Sequence, residues 1–145
     1  MYNVPENMKL SKNFSLSEFV CKDGSNEVLV DYELIDGLQD LRDYLNLPVT
    51  ITPNGGYRTE KLNADVGGID DSEHTKGKAG DVKVSGKTPL QIAQVAYKRG
   101  KFRGIGVYPT FTHLDVGAKP FYWKQDTNGK KTFFKSFSEL EKAVK

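Results

Sequence analysis

The chain contains only two histidines, His74 and His113, and both lie in segments that carry carboxylates. His74 belongs to the segment SEHTKGKAGD, residues 72–81, and His113 belongs to the segment FTHLD, residues 111–115. Histidine and aspartate are common ligands of zinc, and catalytic zinc usually takes three protein ligands and leaves one position for water. His74, Asp81 and His113 would make such a set. The residue types and their spacing therefore favour a metalloenzyme.

The spacing also predicts how these side chains would converge. Asp81 follows His74 by seven positions, and the glycines between them argue against one continuous helix. We expect a loop that carries His74 to lead into a strand that carries Asp81, with His113 on a neighbouring strand. Asp115, two positions after His113, would then point to the same face of that strand. An alternative stays open at this point: the histidines are hydrogen-bonded core residues and Asp81 caps a turn.

Composition is typical of a small globular protein. With 145 residues, of which 37% are hydrophobic, the chain is predicted to form a single domain over residues 1–145. No apolar run approaches the ~20 residues of a membrane-spanning helix, and the N-terminus lacks the basic and apolar pattern of a secretory signal. We therefore expect synthesis in the cytoplasm as written, or excision from a larger exported protein. We also expect a monomer.

Charge and cysteine content argue against several other functions. The net charge of +2 gives no preference for nucleic acid, and the basic run over residues 98–103 is interpreted as a helix end followed by a turn. The single cysteine, Cys21, allows neither an internal disulfide nor a cysteine-rich zinc site. We interpret Cys21 as a structural residue rather than a catalytic thiol, because both histidines have a better assignment.

Apolar periodicity and turn residues predict the elements that must position these side chains. Leu34, Leu38, Leu41 and Leu45 recur at helical steps after Asp31, which is a suitable N-cap. The predicted helices cover residues 13–20, 31–46, 59–65, 88–100 and a last segment from Ser136; the predicted strands cover residues 49–52, 79–85, 104–108 and 111–116, with a hairpin around Asn128-Gly129. This order indicates an α+β domain whose helices pack on a small, mostly antiparallel sheet.

Five short motifs occur along the chain. They are SLSEF at residues 15–19, GYRT at 56–59, SxHxxGxAxD at 72–81, GIGVY at 104–108 and FxHxD at 111–115. Together they resemble the M15 group of zinc D-Ala-D-Ala carboxypeptidases and related phage endolysins, which belongs to the wider lysostaphin, D-Ala-D-Ala metallopeptidase and sonic hedgehog fold group. The resemblance runs from about residue 13 to residue 117 and leaves residues 118–145 as a C-terminal extension.

The resemblance implies a hedgehog- or DD-peptidase-like fold and a Zn2+ ion held by His74, Asp81 and His113. It also implies hydrolysis of an amide bond in peptidoglycan stem peptides, by a carboxypeptidase or an endopeptidase. Arg58 would bind a substrate carboxylate or the tetrahedral oxyanion, because a guanidinium offers a fixed, always charged fork of donors. Ser72 would hydrogen-bond the substrate or brace its own loop.

The sequence departs from the family pattern at the position of the general base. Many members carry Glu or Asp three residues before the last zinc ligand, where this chain has Thr110, and others carry His two residues before it, where this chain has Phe111. We therefore expect Asp115 to be the proton acceptor that a zinc-activated water needs. The alternatives are that Asp115 only orients His113, or that Glu73 is the base.

Two further features leave alternatives for the function. Gly117 stands where phage-type members often carry arginine, so the scissile bond is not specified. The lack of a base at Thr110 motivates a non-catalytic alternative, a zinc-containing module that binds the cell wall or serves in a phage particle. We expect action on the cell wall, which fits a phage lysin. The aromatic residues of the C-terminal extension are interpreted as a packed cover over the sheet, with cell-wall contact as the alternative; they are Phe121, Tyr122, Trp123, Phe133, Phe134 and Phe137.

Overall fold

The computed structural model describes residues 8–68 and 72–145, in which helices pack on one six-stranded sheet. The helices are α1 (Tyr32–Leu45), α2 (Glu60–Asp65), α3 (Pro89–Arg99) and α4 (Phe137–Val144). The strands are β1 (Thr50–Ile51), β2 (Ala79–Lys83), β3 (Gly104–Val107), β4 (Thr112–Asp115), β5 (Phe121–Gln125) and β6 (Lys131–Phe134), and two short 3₁₀ helices cover Leu16–Phe19 and Glu73–Lys76.

The strands follow the order β1-β2-β4-β3-β5-β6 across the sheet. Every neighbouring pair is antiparallel except β3 and β5, which run parallel. This arrangement confirms the predicted α+β class and the mostly antiparallel sheet.

Alternation along the strands gives the sheet a core face and an open face. On the core face, Val82, Ile105 and Leu114 are completely buried, and α3 packs on this side with α1 against it. The residues that alternate with them point to the opposite, open face. The polar residues that the sequence singled out therefore lie on the open face of strands whose other face is packed in the hydrophobic core. This packing fixes their backbone positions.

The two longest helices begin and end where the sequence supplies capping residues. The side chain of Asp31 accepts a hydrogen bond from the backbone N–H of Glu33 at the start of α1, and Asn46 ends that helix in the left-handed conformation. Thr88 begins α3 with a capping box, and Gly100 ends it with a φ of +71°. Both helices are confirmed. Within residues 8–68 and 72–145, every helix is too short or too polar to span a bilayer.

The helix predicted over residues 13–20 is present but shorter than predicted. The structure has a single 3₁₀ turn over Leu16–Phe19, with Ser15 at its N-cap. Both Phe14 and Phe19 are buried in the core, with ring centroids 6.3 Å apart. An α-helix separates side chains five residues apart by about 140° around its axis, so it could not direct both rings into one core. In the structure, Phe14 instead precedes the turn and Phe19 ends it.

The C-terminal extension lengthens the sheet. β5 pairs in parallel with β3, and β6 returns antiparallel to β5 through the predicted hairpin at Asn128-Gly129. Its aromatic side chains divide between the two faces, because Tyr122 and Phe134 pack against the core whereas Trp123 and Phe133 lie on the open face. Only part of the extension therefore acts as the predicted packed cover.

Candidate metal centre

The candidate site occupies the open face where β2 and β4 lie side by side. Asp81 and His113 are directly opposed in the antiparallel register of these strands. His74 comes from the 3₁₀ helix Glu73–Lys76, which precedes β2. Each of the three side chains exposes 8% of its surface or less. The fold thus brings together the three residues expected from the sequence to form one cluster.

Three atoms of this cluster form a nearly equilateral triangle. His74 Nε2, Asp81 Oδ1 and His113 Nδ1 each lie 3.2 Å from the other two. A tetrahedral zinc ion with ligand distances of about 2.0–2.1 Å requires donors roughly 3.3 Å apart. The donor set and its spacing therefore fit a zinc ion closely.

Contacts on the outer sides of both imidazoles turn their lone pairs toward the triangle. The carbonyl oxygen of Gly56 can only accept a hydrogen bond, so His74 Nδ1, 2.9 Å away, carries the hydrogen and Nε2 keeps a lone pair. His113 Nε2 donates to Asp115 Oδ2 at 2.7 Å, which directs Nδ1 toward the triangle. Three acceptors at this spacing require positive charge between them, and a single proton satisfies only part of the set. A divalent cation meets the requirement.

Burial and neighbouring charges shift the pKa of each group in the cluster. Burial lowers the pKa of His74, which keeps its imidazole neutral and able to bind a metal. Burial alone would also lower the pKa of His113, but hydrogen bonds to Asp115 and Asp81 outweigh it and raise the pKa to about 9. Burial opposes ionisation of Asp81, yet the two histidines hold its pKa well below the usual range. At neutral pH the metal-free cluster therefore contains an ionised Asp81 and a protonated His113.

Arg58 holds the second oxygen of Asp81. Its Nη2 donates to Asp81 Oδ2 at 3.0 Å, its Nε donates to the Asn54 carbonyl oxygen at 2.8 Å, and its Nη1 donates to Asn63 Oδ1 at 3.3 Å. The side chain lines the cleft and is 13% exposed. These contacts orient the carboxylate of Asp81; the substrate binding expected of Arg58 stays a prediction.

The loop around His74 is fixed at both ends. Ser72 is buried, and its Oγ accepts a hydrogen bond from the backbone N–H of His74 at 3.2 Å. Gly77 ends the 3₁₀ helix with a φ of +71°, and a β-carbon there would overlap the backbone of Leu29. Ser72 also lines the cleft, but this hydrogen bond favours the alternative in which Ser72 braces the loop.

The GYRT segment and the residue before it support the site through their backbone. The carbonyl oxygen of Gly56 accepts from the His74 ring, and that of Gly55 accepts from the N–H of Asp81 at 2.9 Å. A β-carbon at Gly56 would lie 2.6 Å from the Cα of Phe19, so the segment passes between Phe19 and the site only because it has no side chain there.

The contacts of Asp115 are those of a residue that orients a histidine. Its Oδ2 accepts a hydrogen bond from His113 Nε2, and its Oδ1 accepts one from the backbone N–H of Gly117 at 3.0 Å. Asp115 therefore contacts the edge of the His113 ring that faces away from the triangle. Burial opposes ionisation, yet the hydrogen bond with His113 lowers the pKa of Asp115. Glu73 lines the same cleft with its side chain 25% exposed, and its carboxylate lies 3.5 Å from the ammonium group of Lys76.

The cluster opens into a cleft of about 500 Å³. Sequence reasoning did not single out five of its lining residues, which are Val66, Gly67, Gly68, Gln125 and Lys131. Alternation in β5 could have placed Gln125 on one face with Trp123. The pairing of β5 with β3, which places β5 beside the site, could not be predicted, however. Parallel strands are not joined by a tight turn, so no local turn residues indicate that they pair.

One row across the sheet links the cleft wall to the cluster. His113, Gly106, Trp123 and Phe133 are neighbours on the successive strands β4, β3, β5 and β6. The rings of Trp123 and His113 have centroids 4.7 Å apart. Gly106 provides the space, because a β-carbon there would lie 2.5 Å from the Trp123 ring. The C-terminal extension therefore places an aromatic ring directly beside the cluster.

Comparison with known proteins identifies the family. No curated protein matches the chain. A family model described as Peptidase M15 matches residues 12–115, which is more than half of the chain and includes the GYRT segment and the whole His74, Asp81 and His113 cluster. With the cluster and the α+β fold in place, this match shows that the chain belongs to the Peptidase M15 family.

Proposed function

We propose that the protein is a zinc-dependent peptidase that hydrolyses an amide bond in peptidoglycan stem peptides. The observation that carries this proposal is the triangle of His74 Nε2, Asp81 Oδ1 and His113 Nδ1, whose 3.2 Å spacing and inward lone pairs suit tetrahedral zinc. Family membership supports a peptide substrate. Zinc bound by these residues supplies a Lewis acid for the scissile carbonyl and lowers the pKa of a bound water toward ~7.

The residues around the triangle hold the ligands in their binding orientation. Asp115 fixes the ring of His113, the Gly56 carbonyl fixes His74, and Arg58 fixes the carboxylate of Asp81. Such partners set the tautomer and the direction of each lone pair, and their loss typically costs about 10–100-fold in metal affinity.

Glu73 is the residue that we propose to move the proton. Among the described residues, the carboxylates that line the cleft are those of Glu73, Asp81 and Asp115. Asp81 belongs to the triangle, and both oxygens of Asp115 are engaged by His113 and Gly117. We therefore propose that Glu73, rather than Asp115, accepts a proton from the attacking water and returns it to the nitrogen of the leaving amine.

The choice of peptidoglycan rests on the resemblance of the five motifs to cell-wall peptidases. An extended peptide can lie in the open cleft, whose wall combines aromatic rings with polar groups. Both a carboxypeptidase and an endopeptidase are compatible with such a cleft. Action on the cell wall, as in the phage endolysins that the motifs resemble, is part of the proposal.

The alternative is a non-catalytic zinc-containing module that binds the cell wall or serves in a phage particle. Both Arg58 and Asp115 line the cleft, but each holds a member of the triangle, which a zinc-containing module also needs. The match to a peptidase family is what favours the peptidase.

Zinc content and hydrolysis of purified peptidoglycan, measured in parallel, test the proposal. We expect about one zinc ion per chain, as a three-ligand site binds, and release of free amino groups from the cell wall. His113→Ala should lose both, whereas Thr110→Ala, at an exposed nearby position, should keep both. A folded wild-type protein without zinc would refute the metal centre. Zinc binding without cleavage of the cell wall or its stem peptides would refute the peptidase and favour the binding module.

A further inference from the structure

Two Lys or Arg side chains line the cleft within the described residues, Arg58 and Lys131. Arg58 donates hydrogen bonds to Asp81, Asn54 and Asn63, and its charge is balanced by the Asp81 carboxylate 3.0 Å away. These contacts use three of the five N–H donors of the guanidinium to hold the triangle. Lys131 is the second cation of the cleft, and its charge has no carboxylate beside it among the described residues.

Lys131 lies on β6, opposite Gln125 of β5 and two residues from Phe133, and all three line the cleft. Among residues 8–68 and 72–145, Lys131 forms no ion pair. Burial and the charge of Arg58 lower the pKa of Lys131, against the opposing influence of Asp81. Lys131 therefore forms part of the cleft wall on the same side of the sheet as Gln125 and Phe133.

The wall beside Lys131 is aromatic. Phe121, Trp123 and Phe133 form a continuous surface, with ring centroids 5.1–6.4 Å apart. Such a wall excludes water, which strengthens a charge-assisted hydrogen bond formed next to it. An unpaired, partly buried ammonium is costly until an anion offsets its charge. The surface and the ammonium together suit a ligand that carries both an apolar part and an anionic group.

We propose that Lys131 binds a carboxylate of the substrate peptide, so that the enzyme selects anionic peptides, while the aromatic wall packs against the apolar residues beside that carboxylate. The inference rests on the proposed function for the identity of the ligand as a peptide. The carboxylate is supplied by the C-terminus of the peptide or by an acidic side chain, and the experiment below distinguishes the two.

The proposed subsite belongs to the C-terminal extension. Lys131, Trp123 and Phe133 all follow residue 115, where the match to the family ends. The parallel pairing of β5 with β3 places Trp123 over Gly106 and carries β6 to the edge of the cleft. Substrate selection at this subsite is therefore a property of the extension rather than of the matched region.

The experiment compares the wild type with Lys131→Met, which removes the charge, and Lys131→Arg, which keeps it. Lys130→Gln, at the exposed neighbouring position, is the matched control. The probes are L-Lys-D-Ala-D-Ala with a free C-terminus, its C-terminal amide, and a pair of C-terminally amidated peptides that differ only in D-Glu or D-Gln. The fluorescence of Trp123, the single tryptophan of the chain, reports binding with and without zinc, and KM reports it during hydrolysis.

We expect the wild type and Lys130→Gln to bind a carboxylate-bearing peptide roughly 10-fold more tightly than the partner in which that carboxylate is an amide, as a charge-assisted hydrogen bond provides. Lys131→Met should lose this preference, and Lys131→Arg should keep most of it. The pair of peptides that shows the preference identifies the source of the carboxylate. A preference that survives in Lys131→Met, or is absent from the wild type, overturns the inference. A Lys131-dependent preference in binding, in a protein that also fails to hydrolyse purified peptidoglycan, supports the subsite and refutes the proposed peptidase.

Discussion

Asp81 uses its two carboxylate oxygens for two tasks. Oδ1 faces His74 and His113 within the triangle, while Oδ2 accepts a hydrogen bond from Arg58 at 3.0 Å. A buried carboxylate is costly unless each oxygen has a partner, and the guanidinium provides one without competing for the metal. At the residue scale, Arg58 therefore acts on the metal through Asp81.

Replacing Arg58 by Met should weaken zinc binding about 10–100-fold, the usual cost of losing a residue that orients a metal ligand. Asp81 would lose its counter-charge and would be free to rotate away from the triangle. The zinc affinity of Arg58→Lys should lie between those of the wild type and Arg58→Met. An ammonium group restores the charge but cannot form hydrogen bonds to Asp81, Asn54 and Asn63 in one plane. Competition against a chromophoric chelator measures the affinity, with Lys124→Met as the control. Wild-type affinity in Arg58→Met would contradict this role.

Substitutions of Asp115 and Glu73 should have opposite effects on zinc binding and turnover. Asp115→Asn keeps an acceptor for the N–H of His113 but removes the charge, so we expect roughly 10-fold weaker zinc binding and near-normal turnover once zinc is saturating. Glu73→Gln should keep zinc and lose turnover by about 10²–10⁴-fold, the usual contribution of a general base. Chelator titration and peptide hydrolysis at saturating zinc separate the two effects. If Asp115→Asn keeps its zinc but abolishes turnover, then Asp115 is the base, as first expected from the sequence.

At the scale of the elements, two glycines of β3 determine what its open face can accommodate. A β-carbon at Gly104 would overlap the carboxylate of Asp115, and one at Gly106 would lie 2.5 Å from the Trp123 ring. The residues that alternate with them, Ile105 and Val107, are buried in the core. One strand therefore anchors the sheet through one face and leaves room for the site on the other.

Gly106→Ala should displace the Trp123 ring and destabilise the fold by roughly 1–3 kcal/mol, the typical cost of overpacking. Gly80→Ala is the matched control, because the nearest atoms to its β-carbon would be methyl groups of Ile51 and Leu38 at an ordinary 3.7 Å. Thermal unfolding and the emission maximum of Trp123 are the measurements. Equal unfolding temperatures and spectra for the two variants would show that Gly106 is not required for the packing of Trp123.

Local signals predicted the elements and residues that depend on near neighbours in sequence. Asp31 and Gly100 mark helix ends through capping chemistry, and the separation of His113 and Asp115 by two places them on one face of β4. The sequence did not predict Lys131 as a cleft residue, because that depends on the parallel pairing of β5 with β3. The helix predicted over residues 13–20 is limited to Leu16–Phe19, because both Phe14 and Phe19 are buried in the core and a longer α-helix could not bury both.

At the scale of the whole molecule, metal binding and folding are coupled. The triangle joins the loop before β2 to β4, and the GYRT segment is tied to it by the hydrogen bond from His74 to the Gly56 carbonyl. A metal that binds only the assembled triangle stabilises the fold as a whole. In the metal-free protein, the proton on His113 provides part of this stabilisation, because His113 then donates hydrogen bonds to both Asp81 and Asp115.

The metal-free protein should therefore lose stability as the pH rises from about 7 to 9. The pKa of His113 is raised to about 9 in the folded state, above the ~6.5 of an unfolded histidine, so its contribution is complete below pH ~6.5 and is lost as the pH rises through 9. The lowered pKa values of His74 and Asp81 affect stability only at lower pH, below their unfolded values of 6.5 and 3.8. The expected loss is roughly 1–3 kcal/mol, measured by thermal unfolding in chelator between pH 6.5 and 9.

Saturating zinc provides the control for this pH dependence. Metal at His113 Nδ1 replaces the proton, so the same unfolding series with zinc should lack the loss between pH 6.5 and 9. The increase in the free energy of unfolding that zinc provides should therefore become larger as the pH rises, because the metal no longer competes with a proton for His113 Nδ1. A metal-free protein with constant stability over this range, or the same decline with and without zinc, would show that His113 does not exchange its proton for the metal.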